Sequence, residues 1–151
     1  MIHIRRLNEM AEADQTLTPI QREVMAELKE RYGIDTGNIT WGSDNYFCND
    51  ADGCNGSVYK SEEEARRSIL SPTGDNHQNA LDFVEDAMGD EEWIGFLENC
   101  GINRRTAEKI ISGGNWKKVV EIVVKNEGAK FFLSTYSGGT FELGNGYIVY
   151  F

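Results

Sequence analysis

Lysine and arginine are missing from the 36 residues between Ser68 and Asn103, and no other absence in this chain says as much. Histidine is nearly missing as well. With only His3 and His77 available, a histidine-based general base has few possible homes. There is no Gly-x-x-x-x-Gly-Lys-Ser/Thr phosphate loop, no Gly-x-Ser-x-Gly elbow, no Gly-x-Gly-x-x-Gly turn and no His-Glu-x-x-His pair. The commonest nucleotide-binding, hydrolase, dinucleotide-binding and metalloprotease signatures are thereby excluded, and no catalytic residue is assigned. Apolar runs stay well short of the ~20 residues that cross a bilayer. The segment Met1–Leu7 carries charge where a secretion signal needs a continuous apolar stretch, so a cytoplasmic, membrane-free location is expected.

Cysteine is scarce and odd in number, Cys48, Cys54 and Cys100, which in a chain without an export signal reads as thiols rather than a disulfide framework. Cys48 and Cys54 have five intervening residues instead of the two to four of a zinc knuckle. A calcium loop aligned on Gly53 would begin at Cys48 and end at Tyr59, where carboxylates are required. No metal and no cofactor is expected.

What is present is enough for one ordinary domain. A chain of 151 residues buries roughly 70% of the surface its unfolded form exposes. Apolar residues make up 40% and aromatics 11%, with two prolines, a globular composition. Ile2 and Ile4 alternate with polar neighbours as in a short strand. Thr18 as N-cap, Pro19 at the first helical position and Gln21 closing a capping box start a helix with Ile20, Val24, Met25, Leu28 and Tyr32 on one face, ending at Gly33. Ile39–Phe47 and Ser57–Tyr59 read as strands joined by the Gly-containing stretch Asn49–Gly56. Ser61 with Glu64 is a second capping box, and its helix runs to about Leu70, before Ser71 and Pro72.

From Asn76 onward the pattern is helical, interrupted at Gly89, Gly101 and Gly113–Gly114. Four apolar stripes result: Ala80, Leu81, Val84 and Met88; Trp93, Ile94, Phe96 and Leu97; Ala107, Ile110 and Ile111; Trp116, Val119, Val120 and Val123. The β-branched run Val119–Val124 fits a strand as well as a helix. The last 22 residues hold seven of the sixteen aromatics and break at Ser137–Gly139 and Gly144–Gly146, so Lys130–Tyr136, Thr140–Leu143 and Tyr147–Phe151 read as a three-stranded meander. The expectation is a single α+β domain over residues 1–151, several short helices packed on antiparallel strands with that meander at the C-terminus.

Charge is unevenly distributed. Asp75, Asp82, Glu85, Asp86, Asp90, Glu91, Glu92 and Glu98 give the cation-free stretch a formal charge of −8. Arg104–Lys130 then reverses sign, with seven Lys or Arg against three Glu, in a chain of net charge −10. Such a balance repels nucleic acid and anionic lipid and favours a basic partner. Carboxylates spaced along helices copy the charge pitch of a nucleic acid, so the expected function is a non-enzymatic acidic binding protein that docks on a basic, nucleic-acid-binding protein such as a nuclease and blocks or regulates it. Asp82, Glu85, Asp86, Asp90, Glu91 and Glu92 are its contact candidates. In kind it resembles the acidic DNA-mimicking inhibitors that phages and plasmids use against restriction and CRISPR systems, with no segment in common with a particular one. The bland alternative is a solvated helical face.

One local pattern points the other way. Around Leu97–Ile111, Gly101, Ile102, Asn103 and Ala107 fall in the register of a Gly-hydrophobe-Gly hairpin followed four residues later by a small residue. That segment resembles the helix-hairpin-helix family, which grips DNA backbone. The resemblance implies a phosphate site built by Gly101, Asn103, Arg104, Arg105 and Lys109, in which amides at the start of the second helix and flanking cations hold the anion. Asn103 stands where the family has its second glycine, and the preceding helix carries Asp90, Glu91, Glu92 and Glu98. An enzyme of unrecognised type is the third reading, and oligomeric state is not legible.

Overall fold

In the computed structural model, residues 17–42, 45–49, 54–134 and 139–151 are described; the expected strand at Ile2–Ile4 and most of the loop before Cys54 lie outside them. The first helix, α1 (Pro19–Tyr32), begins where its caps dictate. Thr18 Oγ1 accepts the Gln21 amide at 3.1 Å and Gln21 Oε1 accepts the Thr18 amide at 3.0 Å, so two of the orphan donors of a helix start are satisfied reciprocally. Gly33, at φ 66°, ends it. Val24 and Leu28 form its buried face.

The chain divides into two compact units, Met1–Cys54 and Asn55–Phe151. The first holds α1, a short 3₁₀ turn at Thr36–Asn38, and a hairpin of β1 (Ile39–Trp41) and β2 (Tyr46–Asn49) in which Thr40 pairs with Cys48 and Trp41 with Phe47. The expected single strand Ile39–Phe47 is therefore two strands. The chain reverses between Gly42, whose amide donates to the Tyr46 carbonyl at 2.7 Å, and Asn45, at φ 57°. Gly42 and Asn45 are turn formers, and they outweigh the strand-forming residues on either side.

The second unit contains all but the first residue of β3 (Cys54–Tyr59), then α2 (Glu62–Leu70), α3 (Asp75–Ala87), α4 (Asp90–Asn99), α5 (Arg104–Ser112), α6 (Trp116–Glu127), α7 (Lys130–Leu133), β4 (Thr140–Glu142) and β5 (Ile148–Tyr150). Strand β5 lies between β3 and β4, antiparallel to both, with Val149 opposite Val58 on one side and Phe141 on the other. Helices and antiparallel strands make the fold α+β. The stripes read from the sequence converge in the core: Ala80 and Val84 of α3, Trp93, Ile94 and Leu97 of α4, Ala107, Ile110 and Ile111 of α5 and five residues of α6 are buried together. The buried Trp93 indole spends its one donor on the Val84 carbonyl at 2.8 Å.

The ambiguous run Val119–Val124 is helix. Asn115 caps it, Oδ1 accepting the Lys118 amide at 3.3 Å, and burial over a wide arc of the helix explains why β-branched residues extend beyond its apolar stripe. The expected meander needs a correction, because Lys130–Leu133 is helical and the third strand beside β4 and β5 is β3. Phe131 and Phe132 suggest strand by composition, but packing among helical aromatics decides their conformation. The other two segments pair through a tight reversal, in which Leu143 bonds Tyr147 at 2.8 Å and Gly146 sits at φ 90°. Among the described residues no helix is long and apolar enough to cross a membrane.

Candidate functional site

Helix α3 has no side-chain N-cap, since Gly74 precedes it, and Asp75 in its first turn offsets that lack by meeting the positive end of the helix dipole. Asp90, Glu91 and Glu92 serve α4 in the same way after Gly89. These four acids have a local structural reason. Asp82, Glu85 and Asp86 have no such role at a helix start. They occupy the second half of α3, where the dipole is negative and no basic residue stands in the last turn. Asp82 is one turn from both Glu85 and Asp86, spacings at which like charges destabilise a helix by about 0.2–0.5 kcal/mol each.

All eight carboxylates of the stretch are exposed. At 3.6 residues per turn, Asp75, Asp82 and Asp86 share the α3 face opposite buried His77, Ala80 and Val84, with Glu85 at its border. Asp82 accepts a hydrogen bond from Gln78 at 2.9 Å. Among the described residues, none of Asp75, Asp82, Glu85, Asp86, Asp90 and Glu92 is in an ion pair with Lys or Arg. Glu91 and Glu98 differ. They lie one above the other on α4 and both grip Arg104, at 3.0 Å each, while Glu108 takes its Nε at 2.9 Å. The negative surface is thus concentrated on α3, and Glu91 is spoken for.

That clamp also bears on the helix-hairpin-helix pattern. The turn is formed, with Gly101 at φ 92°, the Ile102 amide on the Leu97 carbonyl at 3.0 Å and Ala107 fully buried. Asn103, however, is extended, and its own Oδ1 accepts the Thr106 amide at 2.9 Å, filling a donor position that a phosphate would use. Arg104 is held by three carboxylates, the bonds to Glu91 and then Glu98 drawing its proton tighter. Of the three cations of the pattern, Arg105 and Lys109 stand exposed without an ion-pair partner among the described residues. The geometry is that of two helices joined by a capped turn. Arg104→Gln is expected to leave the melting temperature nearly unchanged, because exposed pairs contribute little. Thermal melting followed by circular dichroism checks this.

Sequence reasoning passed over two features. The first is Phe83, 49% exposed and out of phase with the α3 apolar stripe. An aromatic off the buried face was the available signal. The second is a polar latch beside an open cleft of about 520 Å³ lined by Glu62, Arg66, Lys130, Glu142 and Tyr150 among others. Glu62 Oε1 accepts the Arg66 Nε at 2.9 Å and the Ala129 amide at 3.0 Å, and Oε2 accepts the Tyr150 hydroxyl. One carboxylate so ties the start of α2 to the α6–α7 junction and to β5. Sequence separations of 67 and 88 residues leave no local pattern to find it by.

Partial burial works against the charged form of Glu62, but the bonds from Tyr150, the Ala129 amide and Arg66 outweigh it and hold the carboxyl below its ordinary value of 4.5. Burial first and the bond to Glu62 second push the Tyr150 phenol well above 10. The signs follow from linkage. Glu62 binds its proton less readily when folded, so its contribution is present above pH 4.5 and is lost as pH falls through the lower folded value. Tyr150 holds its proton more tightly when folded, so its contribution is complete below pH 10 and fades above it. Tyr150→Phe is expected to cost about 1–2 kcal/mol and to flatten the acid limb of the stability curve, as urea titrations between pH 3 and 7 would read.

Gly128 completes the latch. At φ 83° it adopts a backbone that L-residues avoid, and an added Cβ would meet Glu62 Oε1 at 3.0 Å. Gly128→Ala is expected to destabilise by about 1–3 kcal/mol, read from the urea midpoint.

Among the described residues no three His, Cys, Asp or Glu side chains are grouped to hold a metal ion. Cys100 is half-buried, and burial followed by the nearby charge of Glu127 pushes its thiol up. No family model, curated protein or solved structure matches the chain.

Proposed function

We propose that this chain is a cytoplasmic, non-enzymatic binding protein whose α3 face docks on a basic protein, a nuclease or another nucleic-acid binder, and blocks or regulates it. One observation carries the reading: Asp82, Glu85 and Asp86 are exposed and in no ion pair among the described residues, against the helix dipole and against one another. Carboxylates that weaken their own helix and, the Gln78 bond to Asp82 apart, meet no partner among the described residues are accounted for by something outside the fold. Asp90 and Glu92 extend the negative field beyond α3, while Glu91 acts through the Arg104 clamp. A field of one sign on a rigid helix raises encounter rates with an oppositely charged groove and rejects nucleic acid itself.

The test is capture from cell lysate, wild type beside the triple variant Asp82→Lys/Glu85→Lys/Asp86→Lys, with mass spectrometry of what is retained. A basic nucleic-acid-binding protein held by the wild type and absent from the variant is expected. Equal capture by both refutes the role of this face, and retention of DNA would instead support the Arg105 and Lys109 surface.

A further inference from the structure

Resting on the docking role just assigned to α3, we infer that the partner presents a cationic helix or loop carrying an apolar side chain, and that Phe83 and the rings behind it form the socket for that side chain. Phe83 leaves 49% of its surface in water in the middle of a helix whose other outward residues are, Ala87 apart, polar. Its ring is not loose. It stands edge-on to Phe131 at 5.9 Å and to Phe132 at 6.1 Å, both half-buried, and the two pack against each other at 5.1 Å. Phe131 then meets Phe96 at 6.2 Å, and Phe96 meets the fully buried Trp93 at 5.4 Å. A continuous run of rings so anchors an exposed aromatic to the core, leaving little side-chain entropy to be lost on binding.

Charge complementarity decides the occupant. Asp86 is one turn from Phe83 and Asp82 is its chain neighbour, both to the same side of it, so an apolar group entering here arrives beside carboxylates that no cation among the described residues pairs. A purely apolar partner would have to desolvate those carboxylates without pairing them, and a purely cationic one would leave the phenyl face wet. A Lys- or Arg-bearing segment with one Leu, Ile or Met between its cations satisfies both. Interfaces concentrate their energy in such rigid aromatic anchors, with charge setting approach and register.

Two synthetic helical peptides of equal charge supply the probe, one with a Lys/Leu amphipathic pattern and the other with each Leu replaced by Ser. Both are titrated by calorimetry against the full chain, against Phe83→Ser, and against Asp82→Lys/Asp86→Lys. The Leu peptide is expected to bind the wild type about 10- to 30-fold tighter than the Ser peptide, and Phe83→Ser should erase that difference while leaving the Ser peptide unchanged. Chemical-shift changes at Phe83, Phe131 and Phe132 in the wild type on adding the Leu peptide provide a readout that needs no variant. A Leu-over-Ser preference that survives Phe83→Ser, or no preference with no shift at these rings, overturns the socket while leaving electrostatic docking intact. If instead the double charge reversal weakens neither peptide, the docking role of α3 fails as well.

Discussion

Deleting Tyr147–Phe151 is expected to unfold the Asn55–Phe151 unit outright rather than to fray its end. Strand β5 is the middle strand of its group, so its loss strips the ladders from both β3 and β4. Val149, Tyr150 and Phe151 are all but fully buried. At about 1.5–3 kcal/mol for each large apolar side chain, their removal approaches the ~5–15 kcal/mol that holds a typical domain together. Tyr150 also takes the Glu62 latch with it, leaving that carboxylate half-buried without one of its donors. Circular dichroism of the truncated chain should show no cooperative melt of this unit. A transition coincident with that of the full chain would show that the C-terminal strand is dispensable and that the core lies entirely in the helices.

The second large effect runs in two directions at once. Asp82→Lys/Glu85→Lys/Asp86→Lys is expected to cut the rate of association with a basic partner by about 10- to 1000-fold at low salt, the range over which electrostatic steering acts. The same substitutions should raise the melting temperature. The like-charge spacings remain, now between cations, but those cations stand where the α3 dipole favours them, a gain on the order of 1 kcal/mol in total. Stability gained where binding is lost is the mark of residues kept for function rather than for folding. Melting and kinetics measured on one preparation test both halves. A variant that binds more slowly and also melts lower would mean that the carboxylates support the fold by a route absent from the helix geometry.

How far the residues announce all this depends on the range of the interactions involved. Thr18 with Gln21, Ser61 with Glu64 and the glycines at 33 and 101 act within a few positions of themselves, and each helix boundary that they set is found in place. Periodicity found the core faces of α3, α4 and α5 because each is buried on one side only. It was ambiguous for α6, which is buried over a wide arc, and misleading at Phe131 and Phe132, whose helix is dictated by packing. The acidic block was visible as a count of charges. Its division was not, because only the fold brings Arg104 between Glu91 and Glu98 and leaves the α3 carboxylates out of every ion pair among the described residues. Phe83 and the Glu62 latch depend on the facing of a helix and on contacts across the chain, which spacing does not encode.

The most direct measurement of the α3 docking face is the association rate with the captured partner as ionic strength rises from about 0.02 to 0.3 M, over which the screening length shrinks several-fold. For the wild-type chain the rate should fall steeply, and for the triple Lys variant it should be slow and nearly flat. Superimposable curves for the two proteins would contradict the docking role of Asp82, Glu85 and Asp86.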